Sequence, residues 1–162
     1  MNLKPSFLFI IIVIFMFSCD KKRVFDDYQT VGNGWKKNST ATFLLPKLET
    51  TKAYNLFVNL RANDDYKYNN LFLIVALEQP DGLTKTDTLE YQMTEDDGTL
   101  LGEGFSDIKE SKLVYKERFV FKYPENNKVH IKQAVRHSGK VTGDEILDGI
   151  TDVGFRIESI EK

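Results

Sequence analysis

The strongest constraint on the fold is the alternation of apolar and polar side chains from residue 40 to near the carboxyl terminus. The alternating segments are short, and clusters of Pro, Gly, Asn and Asp separate them roughly every 8 to 20 residues. Successive side chains of a β-strand point to opposite faces, so this pattern predicts strands with one buried face. In residues 54–61, the apolar face is Tyr54, Leu56, Val58 and Leu60, and the polar face is Asn55, Asn59 and Arg61.

About eight segments are predicted as strands by this criterion, with little helix: 23–28 as an edge strand, 40–45, 54–61, 71–77, 86–93, 113–123, 129–135 and 153–157. Residues 71–77 are apolar at every position, which predicts a central strand covered on both faces. The turn residues Pro124-Glu125-Asn126-Asn127 predict a hairpin between the two strands that flank them. The whole pattern predicts one all-β domain, an antiparallel β-sandwich with a jelly-roll-like topology.

The amino-terminal residues predict a lipoprotein signal peptide. Lys4 precedes an apolar run from Phe7 to Phe17, about 11 residues long, which is too short to cross a ~30 Å hydrocarbon core as a helix. Ser18 places a small side chain before Cys19, as in bacterial signals whose cysteine is acylated and becomes the first residue of the mature chain. A free or buried thiol at Cys19 is the alternative.

The predicted organisation is a signal peptide at 1–18 that is removed, a polar lipidated tether at 19–34, and a single β-sandwich domain at 35–162. Because Cys19 is the only cysteine, its acylation leaves the domain no thiol for a disulfide, a zinc site or nucleophilic catalysis. Of the 22 basic side chains, loss of Lys4 leaves 21 against 24 acidic ones, a net charge of about −3. This balance argues against a nucleic-acid partner.

No set of residues has the pattern of a catalytic or metal site. His130 and His137 are the only histidines, and their odd separation on one strand predicts that they face opposite sides. Asp64-Asp65 and Asp96-Asp97 lie in predicted turns, where aspartate caps its own backbone. Gly102-Glu103-Gly104 lacks the third glycine of a dinucleotide-binding loop. We therefore expect a non-enzymatic protein without cofactor or metal.

The two strands predicted to pair as a hairpin carry basic residues at outward positions. Such a basic face suits an acidic protein partner or a lipid headgroup layer, although charged strand faces are often only solvated. The predicted basic face consists of Lys116, Arg118, Lys122, Lys128, His130, Lys132 and Arg136. Trp35, Tyr66 and Tyr68 are predicted in loops, where aromatic residues stack on sugars or, more often, pack at the core. A carbohydrate-binding β-sandwich lipoprotein is therefore the alternative to an interaction module.

Several short motifs are distributed along nearly all of the predicted mature chain. They are Ser18-Cys19, Trp35-Lys36, Asn70-Leu71-Phe72-Leu73, Asp87-Thr88-Leu89-Glu90-Tyr91, Leu101-Gly102-Glu103-Gly104, Asp107-Ile108-Lys109, Gln133-Ala134-Val135-Arg136, and the ending Gly149-Ile150-Thr151-Asp152-Val153-Gly154-Phe155-Arg156-Ile157-Glu158. In order and spacing they resemble the GldH family of gliding-motility lipoproteins of the Bacteroidetes. Lys67-Tyr68 departs from the family, in which a Tyr-Pro-Tyr turn is usual.

The resemblance implies a non-catalytic accessory or assembly component of the gliding machinery and of the type IX secretion apparatus that shares its components. We expect other envelope proteins of that machinery as partners, and a glycan as the alternative ligand. Acyl chains on Cys19 are expected to hold the protein in the outer membrane. Because Lys21-Lys22-Arg23 interrupts the acidic run that favours export to the cell surface, the domain is expected to face the periplasm.

Overall fold

The structure, a computed structural model, describes residues 20–32, 34–104, 107–135 and 145–160. The strands are β1 Arg23–Thr30, β2 Trp35–Lys36, β3 Ala41–Leu44, β4 Tyr54–Ala62, β5 Asn70–Glu78, β6 Thr84–Gln92, β7 Lys109–Phe119, β8 Lys128–Gln133, β9 Ile146–Leu147 and β10 Ile150–Ser159. The described part of the chain contains no helix. The prediction of an all-β protein is therefore confirmed.

Two four-stranded antiparallel sheets contain the eight longer strands. The first sheet has the order β1-β10-β4-β7, the second has the order β3-β8-β5-β6, and β2 pairs with β9 in a short ribbon. From β1 to β10 the chain passes from one four-stranded sheet to the other at every connection between longer strands except the β5–β6 hairpin. This order is that of a double-sheet jelly roll, so the predicted topology is confirmed as well.

The core lies between the inward faces of the two sheets. Phe43 of the second sheet and Phe155 of the first are stacked with their ring centroids 6.3 Å apart, and the ring of Tyr115 meets Phe155 edge-on at 6.4 Å. Inward side chains at alternate positions of β4, β5, β8 and β10 are fully buried around them. The period-two pattern is thus explained by burial of one face of each strand.

Hydrogen bonds between edge strands close both sides of the sandwich. On one side, the Gln29 side chain of β1 accepts from the Thr42 N–H of β3 and donates to the Thr42 carbonyl oxygen. On the other side, the Tyr91 hydroxyl of β6 donates to the carbonyl oxygen of Val114 in β7 at 2.8 Å. These bonds occupy backbone groups that would otherwise be free on the sheet edges.

Two predictions about strands are wrong. Residues 71–77 lie in β5, but only the side chains of alternate residues are buried, while Phe72, Ile74 and Ala76 are half-buried on the outer face of the second sheet. The predicted tether at 19–34 is also incorrect over most of its described length, because the edge strand predicted within it at 23–28 is confirmed as β1, which begins at Arg23 and pairs with β10. Only three described residues precede it, which are 20–22.

These first residues are fixed to the last strand through Arg156. Its guanidinium pairs with Asp20, with Asp26 Oδ2 at 2.7 Å and with Glu158 Oε1 at 2.7 Å. The Ser159 N–H donates to the Lys22 carbonyl oxygen at 2.8 Å. The hydrogen bond from Arg156 lowers the pKa of Asp20. The chain therefore contacts the sandwich from Asp20 onward, one residue after the predicted acylation site.

We predict that Gly149→Ala destabilises the fold far more than Gly82→Ala. Both glycines have a positive φ, +82° and +83°, that costs alanine about 1 kcal/mol. A Cβ atom at position 149 would lie 2.1 Å from the Tyr66 backbone nitrogen, whereas nothing lies within 4 Å at position 82. The expected losses in the free energy of unfolding are about 3 kcal/mol or more and about 1 kcal/mol, respectively. Equal losses in denaturant titrations would contradict the close approach.

Replacement of Arg156 by glutamine is predicted to lower the free energy of unfolding by about 2 kcal/mol, because partly buried carboxylates lose charged hydrogen bonds. Lys47→Gln, which removes an exposed ion pair with Glu125, is the control, with an expected loss below about 1 kcal/mol. Denaturant titration of the purified full chain measures both losses.

The same variant should alter the dependence of stability on pH. Burial alone would raise the pKa of Glu158, but hydrogen bonds from Lys112 and Arg156 leave it below its ordinary value of 4.5. A carboxyl group whose pKa is depressed in the folded state stabilises the fold at pH values above its ordinary pKa of 4.5. This stabilisation is lost as the pH falls through the folded-state pKa. The loss of stability in acid should therefore be smaller in Arg156→Gln than in the wild type. An identical slope in both proteins would contradict the role given to Arg156.

Candidate functional site

The predicted basic face does not form one surface. β7 pairs with β4 in the first sheet, whereas β8 pairs with β3 and β5 in the second. Residues 120–127 cross between the sheets, so the predicted hairpin is wrong. Lys116, Arg118 and Lys122 belong to one part of the sandwich and Lys128, His130 and Lys132 to another, while Arg136 lies outside the described residues, as do Cys19 and His137.

Lys116 joins the free edges of the two sheets. Its Nζ atom and the Tyr115 hydroxyl each donate to Asp87 Oδ2 of β6 at 2.8 Å. The hydrogen bond from Lys116 lowers the pKa of Asp87, and burial together with the Asp87 carboxylate raises the pKa of Tyr115. The charge of Lys116 is therefore neutralised within the fold and is not presented to a partner.

Arg118 and Lys122 lie at the end of the sandwich where β7 leaves the first sheet. Arg118 has a φ of 51°, and its backbone N–H donates to Asn55 Oδ1 at 3.0 Å, beside a register shift between β7 and β4. The Nζ atom of Lys122 lies 3.8 Å from Asp81 Oδ2, which also accepts a hydrogen bond from the Tyr123 hydroxyl. Lys122 is thus paired with a neighbouring turn.

The basic residues of β8 surround one carboxylate. Lys128 Nζ lies 3.0 Å from Glu78 Oε1, and His130 Nε2 lies 2.9 Å from Glu78 Oε2. The hydrogen bond from His130, followed by the one from Lys128, lowers the pKa of Glu78. Lys132 is exposed further along the strand. Sequence reasoning misses Glu78, for which the only signal is a charge directly after seven apolar residues.

A shallow depression of about 540 Å³ lies on the outer face of the second sheet, around His130. Cross-strand pairing places Thr42, His130, Ala76 and Thr86 in one row across four strands. The complete lining is Thr40, Thr42, Ile74, Ala76, Thr86, His130 and Lys132. Methyl groups, hydroxyls, one imidazole and one ammonium group are therefore available here for contact with a ligand or a protein.

The contacts of His130 resemble those that activate a nucleophile. Thr42 Oγ1 lies 2.9 Å from His130 Nδ1, and Glu78 Oε2 lies 2.9 Å from His130 Nε2. The sequence, in which no set of residues has the pattern of a catalytic site, does not predict this acid and base pair. Acyl transfer also needs free backbone N–H groups for an oxyanion, but the Thr42 N–H donates to Gln29 Oε1 and its neighbours pair in the ladder with β8. The arrangement therefore offers polar contacts, and the Thr42 N–H is not free to bind an oxyanion.

A second polar cluster covers the outer face of the first sheet. The Tyr28 hydroxyl donates to Glu110 Oε1 at 2.8 Å and accepts from Asn59 Nδ2 at 2.9 Å. Arg61 donates to Glu110 Oε2 at 3.0 Å, and its guanidinium carbon lies 4.3 Å from the centroid of the Tyr28 ring. Burial and the hydrogen bond to Glu110 raise the pKa of Tyr28. The cluster ties β1, β4 and β7 together across β10, which is a structural role.

The aromatic residues predicted for sugar stacking are mostly buried. Trp35 belongs to β2, is fully buried and donates from Nε1 to the Ser39 carbonyl oxygen at 3.2 Å. Tyr66 is 5% exposed, and its hydroxyl donates to the Asn70 carbonyl oxygen. Tyr68 packs edge-on against Tyr66 at 5.8 Å and remains half-buried. The prediction of a loop position is wrong for Trp35, which lies in β2, and is confirmed for Tyr66 and Tyr68. Because Trp35 and Tyr66 are buried, the glycan-binding alternative loses its main support.

Within the residues that the structure describes, no group of three or more His, Cys, Asp or Glu side chains is arranged to hold a metal ion. The same ranges contain no helix with the length and apolar content needed to cross a bilayer. The predicted pairs Asp64-Asp65 and Asp96-Asp97 lie in turns, and the Asp97 carboxylate accepts from the Thr99 N–H at 2.9 Å. That hydrogen bond lowers the pKa of Asp97.

Two solved structures show distant similarity to this chain. A family GH115 4-O-methyl-α-glucuronidase with specificity for decorated arabinogalactans aligns with a TM-score of 0.45 and 12% identity over 89% of this chain and 18% of that one. The VP2 subviral particle of infectious bursal disease virus aligns with a TM-score of 0.40 and 15% identity, over 87% of this chain and 34% of that chain.

Comparison of the sequence is far more specific. A gliding motility lipoprotein GldH of Flavobacterium johnsoniae is 64% identical over 158 residues, which are 98% of each chain. A gliding motility lipoprotein GldH homolog of Christiangramia forsetii is 51% identical over 152 residues, 94% of this chain and 93% of that one. The model of the GldH lipoprotein family matches residues 23–157, the span from the first residue of β1 to near the end of β10. The chain therefore belongs to the GldH lipoprotein family.

Proposed function

We propose that the protein is a non-catalytic accessory or assembly component of the gliding motility machinery and of the type IX secretion apparatus. It is held by acyl chains on Cys19 and acts by contact with other envelope proteins. The observation that carries this proposal is membership of a lipoprotein family over nearly the whole sandwich. The fold supports it because the sandwich begins directly after the residue that would be acylated.

Anchoring provides the physical basis for an assembly role. Each buried methylene of an acyl chain contributes about 0.8 kcal/mol, so several chains hold a protein on its membrane far more firmly than one. Confinement to a membrane raises the effective concentration of the sandwich toward partners in the same layer. A protein of this kind acts by binding neighbouring proteins in the same membrane, without transforming a substrate.

A non-catalytic role fits the chemistry of the surface. The acid and base pair of Glu78 and His130 lies on an open sheet face, where backbone donors are already used in strand pairing. Several other ionic groups are paired with one another, as Lys116 is with Asp87. The shallow depression around His130 offers contacts for a protein surface rather than an enclosed reaction site.

Replacement of Cys19 by serine should release the protein from the membrane fraction and abolish its contribution to gliding, because the acyl chains are lost. Ser18→Gly keeps a small residue before the cysteine and is the matched control, which should remain anchored and active. Membrane fractionation and colony spreading measure the two effects. From detergent-solubilised envelopes, the wild type should bring down other envelope proteins and Cys19→Ser should not.

Two outcomes would contradict the anchored role. One is a Cys19→Ser variant that leaves the membrane and yet supports gliding unchanged. The other is a wild-type protein that brings down no other envelope component.

The domain is proposed to face the periplasm from the outer membrane, because basic residues follow Asp20 directly. Protease added to intact cells should therefore leave the sandwich uncut, whereas the same protease should cut it after the outer membrane is permeabilised. Immunoblotting with an antibody to the domain measures both. Degradation in intact cells would place the domain on the cell surface instead.

A further inference from the structure

One end of the sandwich gathers the chain segments nearest to the predicted lipid. Ser159 pairs with Tyr54 and Tyr54 with Phe119, so residues 20–22 and the end of β10 lie beside loops 45–53 and 120–127. The second sheet ends here too, since the Tyr123 hydroxyl donates to Asp81 in the β5–β6 turn. We call these segments, residues 20–23, 44–53, 79–83 and 120–127 with Ser159, the anchor end.

The anchor end carries exposed apolar side chains that the fold does not use. Leu44 is 62% exposed, Leu83 is 59% exposed and Val120 is 51% exposed. Leu44 and Leu83 are the two most exposed large apolar side chains of the described residues. Leu44, Leu83 and Val120 belong to three different segments that meet at the anchor end. One local turn therefore does not account for their exposure.

The charges of the anchor end leave a local excess of basic groups. Each acidic side chain in its loops is paired with a lysine: Glu49 with Lys52, Asp81 with Lys122, and Glu125 with Lys47. Asp20 pairs with Arg156. The exposed side chains of Lys21, Lys22 and Arg23 therefore set the sign of the charge next to the membrane. Each basic residue near an anionic bilayer surface favours binding.

The link between the lipid and the sandwich is too short to hold the two apart. Consecutive Cα atoms are 3.8 Å apart, so Cys19 lies within one residue of Asp20, which is fixed by Arg156. The interfacial layer outside the hydrocarbon core is only about 5 to 8 Å thick on each side. A sandwich attached through Cys19 must therefore bring its anchor end into contact with the headgroups.

We propose that the anchor end is a lipid-contact surface. Leu44, Leu83 and Val120 enter the boundary between headgroups and acyl chains, while Lys21 to Arg23 contact anionic headgroups. The acyl chains and the anchor end then both contact the bilayer. Together they set the orientation of the sandwich, with its opposite end directed away from the membrane. This inference rests on the proposed acylation of Cys19, since the lipid brings the surface to the bilayer.

The experiment uses the lipidated full chain in vesicles of phosphatidylethanolamine and phosphatidylglycerol that contain nitroxide-labelled lipids. Val120→Cys and Ile146→Cys each introduce one free thiol for a fluorophore, because the native thiol is consumed by acylation. Val120 and Ile146 are each 51% exposed. Ile146 is the control, because it lies in β9, which follows β8 at the end of the sandwich opposite the anchor end. Leu83→Cys is a second position at the anchor end, in case one variant fails to fold.

The nitroxide should quench the fluorophores at positions 120 and 83 about twofold or more, and the fluorophore at position 146 hardly at all. Protein that floats with the vesicles but shows equal quenching at 120 and 146, or none at 120 and 83, overturns the lipid-contact surface and leaves the anchor intact. Protein that does not float with the vesicles overturns the acyl anchor and with it this inference.

Discussion

The structure depends on β10, where two neighbouring residues perform separate tasks. Phe155 points inward and contacts Phe43 and Tyr115, so it lies between the two sheets that form the core. Arg156 points outward and neutralises carboxylates from the first residues, from β1 and from its own strand. Because a partly buried guanidinium with several partners is costly to disturb, Asp20 and Asp26 tie the start of the chain to β10. Asp20, the residue next to the predicted acylation site, is thereby tied to the last strand of the core.

The alternation of apolar and polar residues identifies most strands, because burial of one face of a strand places an apolar side chain at every second position. The same rule fails for β5, since Phe72, Ile74 and Ala76 are apolar yet lie on an outer face that neighbouring side chains only partly cover. The error at residues 120–127 has another cause. Turn residues indicate where a chain reverses, but not whether the next strand joins the same sheet or the facing one. That choice is made by the long-range pairing of β8 with β5.

The candidate surface is less predictable than the fold because it depends on register across strands. Glu78 meets Lys128 and His130 only because β5 and β8 pair with that register, and no spacing in the sequence encodes the contact. The basic face fails for the same reason: its members are close in sequence, but the jelly roll distributes them over both sheets. The edge strand predicted at 23–28 corresponds to β1, but its polar composition does not reveal the partners of its outward residues Asp26 and Tyr28, which join networks on the first sheet. An edge strand of this kind resembles a linker until its partners are known.

A short link and a long tether have different physical consequences for a protein on a membrane. A flexible tether of the predicted length would let the sandwich sample a broad range of heights, with a root-mean-square reach of roughly 20 Å. Since β1 begins at Arg23 and Asp20 is bound by Arg156, that freedom is almost absent. The effective concentration toward a partner in the same membrane is then high only at one height and orientation. A protein held in this way favours a defined arrangement of its neighbours, which is the physical requirement for an assembly component.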